Sequence, residues 1–257
     1  MSVYDAMAPS FDRRRTLPDG VPESIRAAIL DVCGVDRPRI LDLGAGAGRI
    51  GRPFVNANDD YTAIDLSFGM LHAFADRQSA ARLVQADGAR LPFPDACFDA
   101  VLLVQVLSGA RGWRHLLNDA IRVLRPTGAL IVGRVVAPDD GIDGRLKSRL
   151  AEILADRDIH PYRDKPRDDA LSWLARTLPD CTTQTVATWT AQRTPNAFFE
   201  RHGGGARFSV LPDHVRHAAM TQLADWARSV IGPLDAAHAE QHTFELTVHR
   251  LQQRTTP

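Results

Sequence analysis

"ILDLGAGAGRIGRPF", residues 40–54, is an apolar run broken by an acid, Asp42, that opens into a loop with glycine at every second position. A short apolar run of this kind reads as a buried strand. Gly44, Gly46 and Gly48 then let the backbone turn sharply and approach a bound molecule, because no Cβ stands in the way. Two registers fit the letters. From Gly46 they spell G-x-G-x-x-G, the fingerprint of a dinucleotide-binding turn whose glycines approach a pyrophosphate. From Gly44 they spell G-x-G-x-G, a different glycine-loop pattern. The two registers imply different chemistry, and the loop alone does not separate them.

The flanks settle the fold class. Upstream, PESIRAAILDVCG sets Ile25, Ile29 and Val32 on one helical face and stops at Gly34. Downstream, YTAIDL, RLVQAD, FDAVLLVQV and ALIVGRVVA read as further strands with helical stretches between most of them, the alternation of a parallel, doubly wound α/β sheet. Trp113, Leu116, Leu117, Ala120, Ile121 and Leu124 follow helical spacing, and Pro126 and Gly128 mark the stop. Pro53 falls where the helix after the glycine loop should run, which demands a kink or a later start. Past Pro138 the pattern loosens into helical segments around GRLKSRLAEILADRD, RDDALSWLARTLPD and residues 195–231. TTQTVATWTAQ is β-prone, and HTFELTVHR alternates Phe244, Leu246 and Val248 with polar residues, the period of a half-buried strand.

Bulk composition narrows the function. The 257 residues carry 31 basic and 31 acidic side chains, so no overall field favours nucleic acid or an anionic membrane. No apolar run approaches the roughly 20 residues of a membrane span, and the leader lacks a signal-peptide stretch, so a cytoplasmic protein with no membrane partner is expected. Cys33, Cys97 and Cys181 form no C-x-x-C pair and are expected as buried small side chains, with neither disulfide nor metal.

Three carboxylates, Asp42, Asp65 and Asp87, stand at the ends of three successive strands, where open α/β sheets bind ligands. A dinucleotide uses Asp65 on its ribose but gives Asp42 and Asp87 no task. A ligand with an amino group, two ribose hydroxyls and an adenine amine, and no phosphate, matches three acceptors better. At this point ILDLGAGAGR, AIDLSFGML, QADGARLPFPDACFDAV and DAIRVLRPTGALIV resemble, in order and spacing, the four motifs of class I S-adenosylmethionine-dependent methyltransferases. The closest likeness is to the bacterial group around ubiquinone and menaquinone biosynthesis. It covers residues 4–137 and fades beyond them.

The resemblance implies a Rossmann-like, seven-stranded, mostly parallel sheet with a C-terminal antiparallel strand and helical cap insertions. It further implies a single domain over residues 1–257: a core near 37–137, 166–192 and 238–251, a cap near 141–163 and 194–235, and an N-terminal lid at 1–18. S-adenosyl-L-methionine is the implied cofactor. Gly44, Ala45, Gly46 and Gly48 would approach its methionine and ribose, with Asp42 beneath them. Asp65 would take the ribose hydroxyls, and Leu66 and Met70 would flank the adenine. Asp87 would accept from the adenine amine, with Gly88 and Ala89 beside it. Val104 and Gln105 would meet the methyl end, and Tyr4, Phe11 and Arg15 would cover the site.

The expected reaction is methyl transfer to a small-molecule acceptor by in-line displacement. The alternatives are an NAD(P)-dependent oxidoreductase and a non-catalytic binding or regulatory protein on the same fold. Methyl transfer requires alignment rather than a fixed catalytic residue. If the acceptor is a hydroxyl, a histidine base would help, and His202 and His160 are the candidates; Gln105 is a further candidate catalytic residue. His214 and His217 share a helix face by spacing and read as surface. Trp113, Tyr162, Trp173 and Trp189 are either pocket walls or packing. The divergent helical segments, roughly 141–163 and 194–235, are expected to enclose the acceptor at the carboxyl edge of the sheet.

Overall fold

The computed structural model describes residues 17–110, 112–159, 166–203 and 211–251. Tyr4, Phe11, Arg15, His160 and Tyr162 lie outside the described residues. Seven strands, β1 (Ile40–Leu43), β2 (Tyr61–Asp65), β3 (Arg82–Gln85), β4 (Phe98–Val104), β5 (Leu124–Val136), β6 (Cys181–Arg193) and β7 (His238–Arg250), form one sheet in the order β3-β2-β1-β4-β5-β7-β6. The first five pair in parallel, with Ile40 opposite both Tyr61 and Ala100. Chain order reverses between β1 and β4, the position where a crevice opens at the carboxyl ends of parallel strands. The C-terminal strands run antiparallel. Across β6 and β7, Thr183 meets Thr247 while Thr190 meets Gln241, so one strand rises as the other falls.

Helix α1 (Val21–Cys33) ends at Gly34, whose left-handed backbone (φ 61°) turns its N–H back to the carbonyl of Leu30 at 3.2 Å. Ile25 and Ile29 are buried and Val32 is half-buried. Helix α2 (Arg52–Asn56) carries Pro53 in its first turn, so the proline delays the helix rather than kinking it. A first-turn amide has no intrahelical partner to lose. Helix α3 (Phe68–Ala75) starts at Ser67, whose hydroxyl accepts from Met70 N–H.

Helix α4 (Trp113–Val123) stops earlier than Pro126, and β5 begins earlier than the apolar run at Ala129. A register shift between Phe98 and Ala100 explains both, because it lets Leu124 pair with Phe98 immediately after the helix.

Two compact units divide the chain. The first comprises residues 1–135, 166–187 and 244–257, and the second residues 136–165 and 188–243. The division passes through β5, β6 and β7 themselves. The first unit holds helix α6 (Pro166–Thr177) and a core that includes Leu41, Ile64, Val101, Leu117, Leu130 and Leu174. Trp113 and Trp173 meet edge to face within it, centroids 6.0 Å apart. The second unit packs α5 (Ile142–Ala155), α7 (Pro195–Gly203) and α8 (Asp213–Val230) through Leu146, Leu150, Ile153, Phe198 and Leu223. Each such side chain taken fully from water contributes about 1.5–3 kcal/mol.

The cysteines correct one expectation: Cys97 is buried, but Cys33 is only half-buried and Cys181 is exposed. Cys181 opens β6, whose first five residues are all exposed, so strand position there gives no burial.

Candidate functional site

At the end of β1 the backbone enters the glycine loop with φ of 80°, 57° and 82° at Gly44, Gly46 and Gly48. The three glycines are not equivalent. A Cβ at Gly44 would stand 2.7 Å from Val106 Cγ2, and one at Gly48 would run into the ring of Phe74. Those two are required by the protein's own packing. At Gly46 a Cβ would meet nothing within 4 Å, so this backbone lies open for a ligand. Gly51, the last glycine of the dinucleotide register, has no room for a side chain against Tyr61 and Phe74. It is a packing glycine, which either register accommodates.

The loop hangs from the end of β2. Gly44 and Ala45 N–H donate to the carbonyl of Ile64 at 2.8 and 3.0 Å. Asp65 Oδ2 accepts from Gly46 N–H at 2.9 Å, and its Oδ1 accepts from Ser67 N–H at 2.8 Å. The carboxylate thus closes its own turn and also fixes the glycine loop, with lone pairs to spare for further donors. Asp87 does the smaller version of the same work: exposed, it accepts from Ala89 N–H at 2.9 Å. Gly88 sits beside it, where a Cβ would stand 2.8 Å from Leu43 Cδ2.

Asp42 is buried under the loop, and Tyr61 Oη donates to its Oδ2 at 2.6 Å. Burial lifts its pKa to about 6, against the hydrogen bond from Tyr61, while Asp65 adds to the rise and Arg49 opposes it. Tyr61 is itself stacked on Phe54, ring centroids 5.1 Å apart. Leu66 is 59% exposed and free to cover a flat ring, whereas Met70, 2% exposed, is closed in against Ala47 and Ala73.

Val104 ends β4, half-buried, and Gln105 follows in the left-handed region at φ 58°. A non-glycine residue pays about 1–2 kcal/mol for that geometry, and such strain gathers at ligand sites. It is held by the Gln105 N–H to the Gly133 carbonyl, 3.1 Å, and by Arg49 Nη2 donating to Gln105 Oε1 at 2.8 Å. Arg49 was not singled out from the sequence. Its place directly after Gly48 was the available signal.

In the second unit, Arg201 on α7 grips Asp143 on α5 at 2.5 and 2.7 Å. His202 stacks on Phe198, centroids 4.0 Å apart, with Nδ1 3.0 Å from the Phe198 carbonyl. Burial, the largest influence, pushes its pKa below the ordinary histidine value. His214 and His217 are exposed on α8. The sequence reading missed Glu240, which is buried on β7 and accepts from Ile142 N–H at 2.5 Å and from His242 Nε2 at 3.2 Å.

The chain is similar to known proteins. The family described as "Methyltransferase domain" matches residues 41–132. A demethylmenaquinone methyltransferase of Renibacterium salmoninarum is 32% identical over 142 residues, 54% of this chain and 60% of that protein. The ubiquinone/menaquinone biosynthesis C-methyltransferase UbiE of Azotobacter vinelandii is 28% identical over 179 residues, 63% of this chain and 71% of that one. The chain thus spans well under two thirds of the length of the first of these relatives. Among solved structures, one described as a putative methyltransferase from Bacillus halodurans shares the fold at a TM-score of 0.57 and 16% identity, covering 88% of this chain and 98% of that one. The open Gly46 backbone, the braced Asp65 and the strand order thus fall within or beside the residues, 41–132, that match the methyltransferase-domain family.

Proposed function

We propose that this protein transfers a methyl group from S-adenosyl-L-methionine to a small-molecule acceptor. The observation that carries the reading is the pairing of Gly46 and Asp65. The one loop glycine whose missing side chain leaves open space is tied at 2.9 Å to the strand-end carboxylate that a ribose requires. Gly44, Ala45, Gly46, Gly48, Asp65, Leu66, Asp87, Gly88 and Ala89 would hold the cofactor, with Val104 and Gln105 toward its methyl end. The family match favours this over hydride transfer.

When bound, the cofactor supplies a methyl group on a sulfonium, an electrophile that needs no further activation. The protein's own work is alignment. Asp65 is already held by two backbone amides, so little ordering remains when the hydroxyls arrive. Gln105, fixed by Arg49 and Gly133, keeps the end of β4 in a single geometry. Such pre-positioning can lower a barrier by about 7–11 kcal/mol. Asp42, buried and bound to Tyr61, supports the loop from below. The relatives' names refer to demethylmenaquinone and to ubiquinone and menaquinone biosynthesis, and a small organic acceptor is proposed for this chain.

Calorimetry tests the reading. The protein should bind S-adenosylhomocysteine and show no measurable NAD or NADP binding. Asp65→Ala should weaken that binding at least tenfold, at about 1.5–3 kcal/mol per lost charge-assisted hydrogen bond. Asp65→Asn, which keeps one acceptor oxygen, should lose less. Unaltered affinity in a folded Asp65→Ala protein, or preference for NAD, would overturn the proposal.

A further inference from the structure

From β3 to β4 the chain runs through residues 86–97 without a helix, although it must return from the carboxyl end of one parallel strand to the start of the next. The neighbouring crossovers each carry one: α2, α3 and α4. The connection begins with the turn Asp87–Ala89 and continues as Leu91-Pro92-Phe93-Pro94, where the two prolines have no N–H to donate. Its backbone groups must therefore find partners outside secondary structure.

Two side chains of α4 supply them. Arg122 donates from Nε and Nη2 to the two oxygens of Asp119, at 2.8 and 3.1 Å. Its Nη1 donates to the Phe93 carbonyl at 2.9 Å and to Asp95 at 2.7 Å, and Nη2 also reaches the Leu91 carbonyl at 3.2 Å. Every N–H of the guanidinium is thus engaged. Asp119 Oδ2 in turn accepts from Leu91 N–H at 2.5 Å. Leu91, itself buried, has both backbone groups gripped by one ion pair. The hydrogen bond from Arg122 holds the Asp119 carboxyl below its ordinary pKa, so it stays an acceptor at neutral pH.

The turn that precedes Leu91 is suspended between two anchors. On one side Ala86 N–H donates to the Asp65 carbonyl at 3.2 Å, and on the other Leu91 is held by α4. Between them, Arg90 N–H returns to the Asp87 carbonyl at 2.9 Å and Ala89 N–H donates to Asp87 Oδ1. Those internal bonds fix the shape of the turn but not its place. Its place comes from the anchors and from close packing, since a Cβ at Gly88 would stand 2.8 Å from Leu43 and 3.3 Å from Leu116 on α4.

We propose that Asp119 and Arg122 are a positioning pair for base recognition: by fixing Leu91 they hold Asp87 where it accepts the exocyclic amine of adenine and rejects the oxo group of hypoxanthine. The inference rests on the methyl-transfer reading for the identity of the ligand. Neither residue touches the base. A carboxylate accepts an amine proton and repels an oxo group. Hypoxanthine carries its own donor on the adjacent ring nitrogen, so an Asp87 free to shift takes either base, and a fixed one takes adenine.

Calorimetry on the full chain with S-adenosylhomocysteine and S-inosylhomocysteine tests this. The parent should prefer the adenine compound by at least roughly tenfold, the worth of one charge-assisted hydrogen bond. Arg122→Gln and Asp119→Asn should bring the two affinities within about threefold of each other. Asp119→Asn, nearly isosteric, carries the test where Arg122→Gln does not fold. Hydrogen exchange at the Leu91 amide, slow in the parent, should quicken in both variants. A merely structural pair would quicken that exchange and lower the melting temperature while leaving the base preference as in the parent, and that result overturns the proposal. So does a parallel fall in both affinities, a parent without preference, or a Leu91 amide that exchanges freely in the parent. Failure of the unaltered protein to bind S-adenosylhomocysteine would overturn the methyl-transfer reading and this inference with it, whereas binding with an unchanged preference in the variants overturns the inference alone.

Discussion

The glycine loop of the first unit and the β7 polar face of the second both bury carboxylates, and they do so over very different chain distances. Asp65 serves Gly46, 19 residues away, and Asp42 is served by Tyr61 at the same separation, one strand–helix–strand step in each case. Glu240 serves the amide of Ile142, 98 residues away. The first site is a repeating unit of an α/β sheet, built wherever the local pattern recurs. The second exists only because two distant segments are brought together. A carboxylate at a strand end thus tells a reader something, whereas one in the middle of a strand tells nothing until its partner is known.

The sharpest way to break this contrast lies inside the glycine loop. Gly48→Ala should destabilise the first unit by about 2–5 kcal/mol, adding left-handed backbone strain to an overpacked Phe74. Gly46→Ala should cost only the backbone strain, about 1–2 kcal/mol, yet weaken S-adenosylhomocysteine more than its stability loss suggests. Denaturant titration with calorimetry separates the two. Equal stability losses would mean that Gly46 is a packing glycine like its neighbour.

Glu240→Ala comes next, at about 2–3 kcal/mol, from a lost helix cap and a stranded imidazole. Hydrogen exchange should quicken at the Ile142 amide and along the first turn of α5, with the Gly46 amide unchanged. Faster exchange at Gly46 instead would show that the two regions are not energetically separate.

The smallest effect concerns Asp42. Its folded pKa, about 6, lies above the ordinary carboxylate value because burial disfavours the charge. The folded protein then holds the proton more tightly than the unfolded chain, so stability falls as pH rises from about 4 to 6. Asp42→Asn, which does not titrate, should gain on the parent as pH rises across that window. Thermal midpoints at pH 4 and pH 8 check the sign, and a difference that shrinks as pH rises would contradict it.

Much of the first unit was legible because its signals are local. Alternating apolar runs gave the strands, and Gly34 gave the end of α1. Asp65 and Asp87 each also close their own turn through the amide two residues on. The early start of β5 was hidden because Leu124 continues the helical spacing of α4, and only the register shift opposite it turns it into a strand residue. On β7 the alternation was read from Phe244 onward, in the first unit, although its period runs back through His242, Glu240 and His238 in the second.

By itself, then, the sequence determined the doubly wound sheet and the glycine loop, because each follows from periodicity and backbone freedom within some twenty residues. Tertiary structure alone decided which of Gly44, Gly46 and Gly48 faces open space, that Tyr61 on the neighbouring strand donates to Asp42, and that a buried glutamate on the last strand caps a helix near the middle of the chain. The physical reason is common to all three. Whether a polar atom or an empty Cβ position is available depends on what packs against it, and packing partners are chosen by the fold, not by the neighbouring letters.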